Sequence, residues 1–306
     1  MTIVQLVSYI SFAVAVLAMI AKALRYIRAP EHFRWELYPV PHEKGRAGYG
    51  GSYLEELDWW SKPRENDMFR EIKEMMQEIV LLKGVFHHNK KVWRSSFPFH
   101  FGLYLSIGWL LLLLLGSILN SVGIPVGPET AIFGRIVHYV TIPIGYAGLV
   151  LTGLGAFGLF IWRVSDKNQR PYNAPAEYFN LVFFDIVVVV ALIAQLVSDP
   201  GFIIVRQYIG SLATFSVSPA LNGWLVAEII LVSLIIMYVP LTRMSHFVAK
   251  YFLYHSVRWN DEANMRGSKI EKRIMELMNS RVGWSAPHIQ TGEPWTRVVR
   301  EMNKNE

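Results

Sequence analysis

Residues 97–121 read FPFHFGLYLSIGWLLLLLLGSILNS, a run that contains no Asp, Glu, Lys or Arg. A helix needs about 20 apolar residues to cross the roughly 30 Å hydrocarbon core of a bilayer, and this run is long enough. Because a helix pairs its backbone groups internally, as lipid requires, the run is predicted to be a membrane-spanning helix. A mean hydropathy of +0.27 and a hydrophobic share of 52% indicate the membrane class for the whole chain.

Four more apolar runs predict an all-α, five-helix integral membrane bundle with spans near residues 3–25, 97–121, 136–162, 178–198 and 222–247. The first run is expected to be a retained span rather than a cleaved signal, because no basic residue precedes it. We expect the chain to divide into a first transmembrane helix (1–27), a loop (28–96), a four-helix core (97–250) and a polar tail (251–306).

The distribution of basic residues predicts the orientation. Of the 30 Lys and Arg residues, 28 fall on one side of the predicted spans, and only Arg135 and Arg206 fall on the other. Cytoplasmic segments retain positive charge, so we expect the N-terminus outside and the long loop and tail in the cytoplasm. The predicted location is the cytoplasmic (inner) membrane. Because the charges gather at span ends, the net charge of +6 does not indicate a nucleic-acid partner.

The loop contains a stretch, residues 65–86, with apolar residues at helical spacing: Met68, Ile72, Met75, Met76, Ile79 and Leu82. This spacing predicts an amphipathic helix that lies on the membrane lipid or beneath a partner subunit.

The chain has no cysteine, which excludes a thiolate-bound iron-sulfur cluster, a c-type haem attachment and a disulfide. Any redox chemistry must therefore use a non-covalent cofactor, and any cluster must belong to a partner.

Two histidines lie at span ends that are predicted to face the same side of the membrane. His100 is near the start of the second span, and His246 is near the end of the fifth. Both are expected roughly 14 to 16 Å from the bilayer midplane on the cytoplasmic side. Two neutral imidazoles from facing helices can hold a haem iron from both sides. Arg94 and Arg243 lie at the same level and could pair with haem propionates. Spacing alone leaves another interpretation open, in which each histidine caps its helix or sits among the headgroups.

The stretch Tyr238-Val-Pro-Leu-Thr-Arg-Met-Ser-His246 resembles the last-span motif of the respiratory nitrate reductase gamma-subunit family of membrane cytochromes b. Phe99-His100-Phe-Gly102 resembles the second-span motif of the same family, and the resemblance covers about residues 90–250. The long first loop and the tail around 254–259 look more like a branch from anaerobes whose partner resembles the iron-sulfur subunit of heterodisulfide reductase. The resemblance implies haem b between His100 and His246, menaquinone or ubiquinone, and a cytoplasmic-side iron-sulfur subunit.

The chain departs from this family at two positions. Relatives of the nitrate reductase type bind a second haem through histidines that correspond here to Leu110 and Glu228. Leucine cannot ligate iron, so the resemblance implies one haem, and two only if another ligand exists. Glu228 is expected on the same helix face as His246, about 27 Å nearer the outside. It could accept a proton near quinone, or it could pair with another buried polar group.

His138, at the outer end of the third span, could hydrogen-bond a quinone carbonyl and take up a proton together with Glu228. It could instead ligate a second haem, or lie at the interface beside Tyr139. We assign no role to Asp185 in the fourth span.

The first functional hypothesis is a haem b electron-transfer subunit between quinone and an iron-sulfur partner, with the direction of electron flow open. A haem-free membrane anchor for a soluble enzyme is the second. A small transporter is third, because the spans lack the paired broken helices of a midplane substrate site.

Overall fold

The structure is a computed structural model that describes residues 1–29, 40–46, 48–63, 65–260, 262, 264–286, 289 and 291–302. Within these residues the fold is all-helical and contains no β-strand; only isolated bridges such as Glu43 to Asn66 occur. The predicted fold class is confirmed.

Five helices are long and apolar enough to cross a membrane: α1 (Ile3–Ile27), α4 (Lys90–Ser121), α5 (Ile132–Ser165), α6 (Pro175–Ser198) and α8 (Gly223–Leu241). The protein is therefore a multi-pass membrane protein. Six shorter helices complete the order: α2 (Met68–Val80), α3 (Lys83–His88), α7 (Ile203–Ala213), α9 (His246–Leu253), α10 (Lys269–Met278) and α11 (Trp295–Met302).

The fifth span is shorter than predicted, and this changes the position of His246. Helix α8 ends at Leu241, Thr242 is extended with φ −111° and ψ −178°, and a 3-10 turn leads to a new helix that begins at His246. Pro240, in the last turn of α8, has no amide hydrogen for the helix ladder. The expectation that Glu228 and His246 share one continuous helix face is therefore wrong.

The chain divides into two compact units. The first comprises residues 1–18 and 72–244, where α4 packs on α5 and α7, α5 packs on α6, and α6 packs on α8. Helix α1 is held to the other spans by polar contacts: Gln5 donates to Ser211 Oγ (3.1 Å), and the Ser8 hydroxyl bonds to Tyr208 and Ser233.

Helices α4 and α5 approach closely because glycines lie where they cross. A Cβ atom on Gly155 would lie 2.2 Å from the Phe99 amide nitrogen, and one on Gly102 would lie 2.3 Å from the Thr152 nitrogen. Lipid provides no hydrophobic driving force for helix association. Small residues at such crossings let the helices come close enough for van der Waals packing to hold them together.

The second unit comprises residues 19–71 and 245–306. It includes α9, a π-helical turn Tyr254–Arg258, α10 and α11. Its small core contains Val282, Ile289 and Val298, and Glu43 accepts hydrogen bonds from Ser52 Oγ and the Tyr53 amide.

The stretch 65–86 forms two helices rather than one. Helix α2 ends at Val80 and α3 begins at Lys83, because Leu82 adopts a left-handed conformation with φ 52°. Both segments are helical, as the spacing predicted.

Substituting Gly155 by Val should destabilise the bundle by about 1–3 kcal/mol, since the added atoms collide with backbone rather than with a flexible side chain. The measurement is the thermal unfolding midpoint in detergent. Gly108→Val in α4 is the control, because a Cβ atom added at Gly108 would have no described neighbour within 4 Å. Equal midpoints for the two variants would contradict the close crossing.

Candidate functional site

His100 is held in one orientation by its own helix. Its ring Nδ1 lies 2.7 Å from the Ser96 carbonyl oxygen, one turn earlier in α4, and the side chain is half-buried. A carbonyl oxygen only accepts, so Nδ1 carries a proton and is the donor in this hydrogen bond. Metal-binding histidines are commonly oriented by such a bond from the nitrogen that does not bind the metal.

His246 is the first residue of α9 and is exposed. The preceding Ser245 is buried, and its hydroxyl accepts a hydrogen bond from the Lys22 ammonium. His100 belongs to the first unit and His246 to the second. The pairing of the two imidazoles across one porphyrin stays a prediction.

Arg94 and Arg243, predicted to pair with haem propionates, are both exposed. Arg94 lies in the second turn of α4, and Arg243 opens the 3-10 turn after α8. Exposed guanidinium groups can reach carboxylates at a membrane surface, and the role of this pair stays a prediction.

The donor set in the described residues fits a haem better than a bare metal ion. These residues contain no group of three or more His, Asp or Glu side chains that could hold a metal ion. A porphyrin supplies four nitrogens itself and needs only axial ligands from the protein.

His138 is deeply buried in α5, with 4% of its surface exposed. Its Nδ1 has no hydrogen-bond partner within the described part of the chain. The α6–α7 turn approaches the ring closely, since a Cβ atom on Gly201 would lie 3.1 Å from its Cε1. The structure thus buries His138 among the helices, and its ring also contacts the Tyr139 ring edge-on at 5.1 Å between centroids, so the alternatives for this histidine stay predictions.

Glu228 is also buried, with 2% exposed, and accepts a hydrogen bond of 2.6 Å from Gln195 Nε2 in α6. The amide oxygen of Gln195 has no partner among the residues described. Gln195 is therefore the polar partner that the sequence left unidentified. Asp185, to which no role was assigned, lies on α6 nearly three helical turns before Gln195.

Two functional candidates escaped the sequence analysis, Asp199 and Arg206. The Arg206 side chain on α7 is 1% exposed; its Nη1 donates to the Val126 carbonyl (3.3 Å), while Nε and Nη2 have no partner in the described chain. Asp199 accepts hydrogen bonds from the amides of Ile203 (2.7 Å) and Val205 (2.9 Å). Burial raises the pKa of the Asp199 carboxyl above its usual range, and these amides and the Arg206 guanidinium oppose that rise.

These side chains form one buried group, which we call the Arg206 cluster: His138, Gln195, Asp199, Arg206 and Glu228. Electrostatic interactions link Arg206 to both His138 and Asp199, and Asp199 to Glu228. One sequence signal could have identified this cluster: Arg206 is a lone Arg in a short apolar stretch that follows the Asp199-Pro-Gly201 turn.

The Arg206 cluster and His100 lie at opposite ends of α4. The Arg206 side chain contacts α4 at Gly116, where a Cβ atom would lie 2.8 Å from Nε. Gly116 lies 16 residues after His100, which corresponds to about 24 Å along the helix axis. A group bound at the cluster would be separated from a haem at His100 by most of the bundle.

No family model, no curated protein and no solved structure matches this chain.

Replacing Gln195 by Leu should destabilise the protein by about 1–3 kcal/mol, because the buried Glu228 carboxyl loses its donor. Thermal unfolding in detergent measures the effect. Replacing both residues by Leu should recover part of the loss, since removing both partners leaves no unpaired group. A double variant less stable than Gln195→Leu alone would contradict this account.

Proposed function

We propose that this chain is the haem b membrane subunit of an anaerobic respiratory complex, which transfers electrons between menaquinone or ubiquinone and an iron-sulfur subunit on the cytoplasmic side. The proposal includes an inner-membrane location with the N-terminus outside. The observation that carries it is the orientation of the His100 imidazole, whose Nδ1 donates to the Ser96 carbonyl in the way common among metal-binding histidines.

In this proposal His100 and His246 would hold the haem iron, and Arg94 and Arg243 would neutralise the propionates. The bound haem supplies one-electron chemistry at its iron. The chain contributes ligands, charge and an apolar surrounding, including Phe99, which packs edge-on against Phe184 with ring centroids 5.2 Å apart.

The need for an iron-sulfur partner follows from the amino-acid composition, whereas its resemblance to heterodisulfide reductase is what the family resemblance implies. An electron on an inner haem needs an acceptor or donor, and a chain without cysteine offers no thiolate cluster of its own. The basic side of the membrane, which carries 28 of the 30 Lys and Arg residues, favours an acidic docking partner.

His138 and Glu228 are proposed to act on quinone protons. Within the described residues, the guanidinium nitrogens Nε and Nη2 of Arg206, the Gln195 amide oxygen and His138 Nδ1 have no hydrogen-bond partner, so they can take part in a path that carries these protons. The separation of about 24 Å between the cluster and His100 divides this proposal into two forms. With one haem, quinone binds nearer His100 and the cluster moves protons; with two, His138 ligates the second haem.

The haem-to-protein ratio of the purified protein, measured by the pyridine haemochrome spectrum, tests the proposal. We expect a ratio near one, and loss of the haem band in both His100→Ala and His246→Ala. His88→Ala is the control, because His88 is exposed on α3. A ratio near two indicates that His138 is a ligand. A ratio of zero in folded protein would overturn the proposal and favour the haem-free anchor.

Replacing His138 by Phe should slow haem reduction by a soluble menaquinol analogue about 10²-fold, the usual size of a lost general acid or base. Stopped-flow absorbance at the haem band measures the rate, with haem content expected to be unchanged. Tyr139→Phe, at the exposed neighbouring position, is the control. An unaltered rate in His138→Phe would remove this histidine from the quinone reaction.

A further inference from the structure

Helix α2 exposes its apolar side chains rather than burying them. Five are more than a third exposed: Met68 (71%), Phe69 (79%), Ile72 (54%), Met76 (49%) and Ile79 (37%). On the polar side, Glu74 and Gln77 are half-buried, and both accept hydrogen bonds from the Lys83 ammonium, at 2.5 and 3.1 Å. The helix therefore turns its polar side towards the protein and its apolar side away from it, the reverse of a surface helix in water.

The end of α2 is attached to α4 around the start of the apolar run, through Tyr104 inside the run and Trp93 four residues before it. The Tyr104 hydroxyl donates to the Ile79 carbonyl (2.8 Å), and the Trp93 indole donates to the Leu81 carbonyl (2.8 Å). Tyr104 lies seven residues beyond Phe97, where the apolar run begins, or about 10 Å deeper. Since helical side chains tilt towards their N-terminus, the hydroxyl lies somewhat shallower than its own Cα.

This depth agrees with that of an in-plane helix, which sinks its apolar face about 5–10 Å into the headgroup and acyl boundary. The two hydrogen bonds also suit that environment. The last carbonyls of a helix have no partner within the helix, and an unpaired carbonyl is costly in lipid. Tyr104 and Trp93 satisfy one such carbonyl in α2 and one just beyond its end.

Aromatic rings surround the start of the apolar run of α4. Trp93 packs against Phe86 of α3 at 5.1 Å and stacks on Phe97 at 4.8 Å between ring centroids. Such rings gather at the boundary between headgroups and acyl chains.

Charge on α2 also favours lipid. Arg70 and Lys73 are exposed, whereas Glu71 and Glu74 are half-buried. Long basic side chains beside an apolar face can extend to phosphate groups.

We propose that α2 is an interfacial helix whose apolar face, from Met68 to Ile79, is embedded in the lipid leaflet at the Lys90 end of α4, with Arg70 and Lys73 bound to lipid phosphates. The occupant of this face is lipid acyl chain, not a partner protein, because the hydrogen bond from Tyr104, inside the apolar run, holds the end of the helix below the level at which a soluble subunit docks. The inference is independent of haem.

The absence of cysteine makes the test direct, because one introduced cysteine is the only thiol for a nitroxide label. Met76→Cys reports the apolar face and Gln77→Cys, the adjacent residue, reports the polar face. Ile107→Cys, on the exposed side of α4, is the lipid reference, and Lys167→Cys, in an exposed loop, is the water reference. The labelled proteins are reconstituted into vesicles of phosphatidylcholine and phosphatidylglycerol, and accessibility to oxygen and to a water-soluble nickel chelate is measured.

We expect the Met76 label, like the Ile107 label, to be more accessible to oxygen than to the nickel chelate. The Gln77 label should be inaccessible to both reagents or should have the accessibilities of the Lys167 label. A Met76 label as accessible to nickel as the Lys167 label would overturn the proposal. A Met76 label immobilised and shielded from both reagents, as at a protein contact, would also overturn it.

A second variant tests the anchoring hydrogen bond. Tyr104→Phe keeps the ring but removes the donor to Ile79, so the Met76 label in this background should become more mobile and shift towards the water reference. Tyr172→Phe, at an exposed loop position, is the matched control and should leave the label unchanged. An identical Met76 depth with and without the Tyr104 hydroxyl would contradict the assigned anchor.

Discussion

The close crossing of α4 and α5 determines which side chains of α4 face α5 and which face other parts of the bundle. Phe99 and Gly102 of α4 lie against Gly155 and Thr152 of α5, at separations that no larger side chain permits. Successive residues of a helix are rotated by about 100°, so fixing these residues towards α5 turns His100 to another side of α4. The same helix that packs most tightly thus presents an imidazole away from its packing face, in a ring orientation fixed by Ser96.

Polar groups inside the bundle are costly, and this chain concentrates them at the α7 end. Glu228 has its amide partner in Gln195, and Asp199 has backbone amides, whereas His138 and Arg206 keep donors that no described residue satisfies. Unpaired donors beside buried carboxyls are more typical of a functional site than of packing, since an apolar replacement would be more stable. The opposite end, near His100, is aromatic and apolar instead, with Phe99, Phe184 and Leu181 in one cluster.

The cost of unpaired polar groups in lipid also applies to helix α2, at the membrane surface. Its polar side chains and terminal carbonyls are paired within the protein, while its apolar side chains remain uncovered. Two aromatic donors from α4 hold its end, so the helix and the span are coupled mechanically.

The sequence by itself determined the number of spans, because crossing a bilayer is a local property of about 20 consecutive apolar residues. It also determined that most of the stretch 65–86 is helical, though not that Leu82 divides it into two helices, and that no thiolate chemistry is available. It did not predict the break after Leu241, since Pro240 is compatible with a continuing helix until packing selects the extended Thr242. The Glu228–Gln195 pair and the Arg206 cluster were decided only by the tertiary structure, because their members lie on different helices and span periodicity does not specify which faces meet. The direction of the apolar face of α2 was decided there too, since periodicity defines a face but not what lies against it.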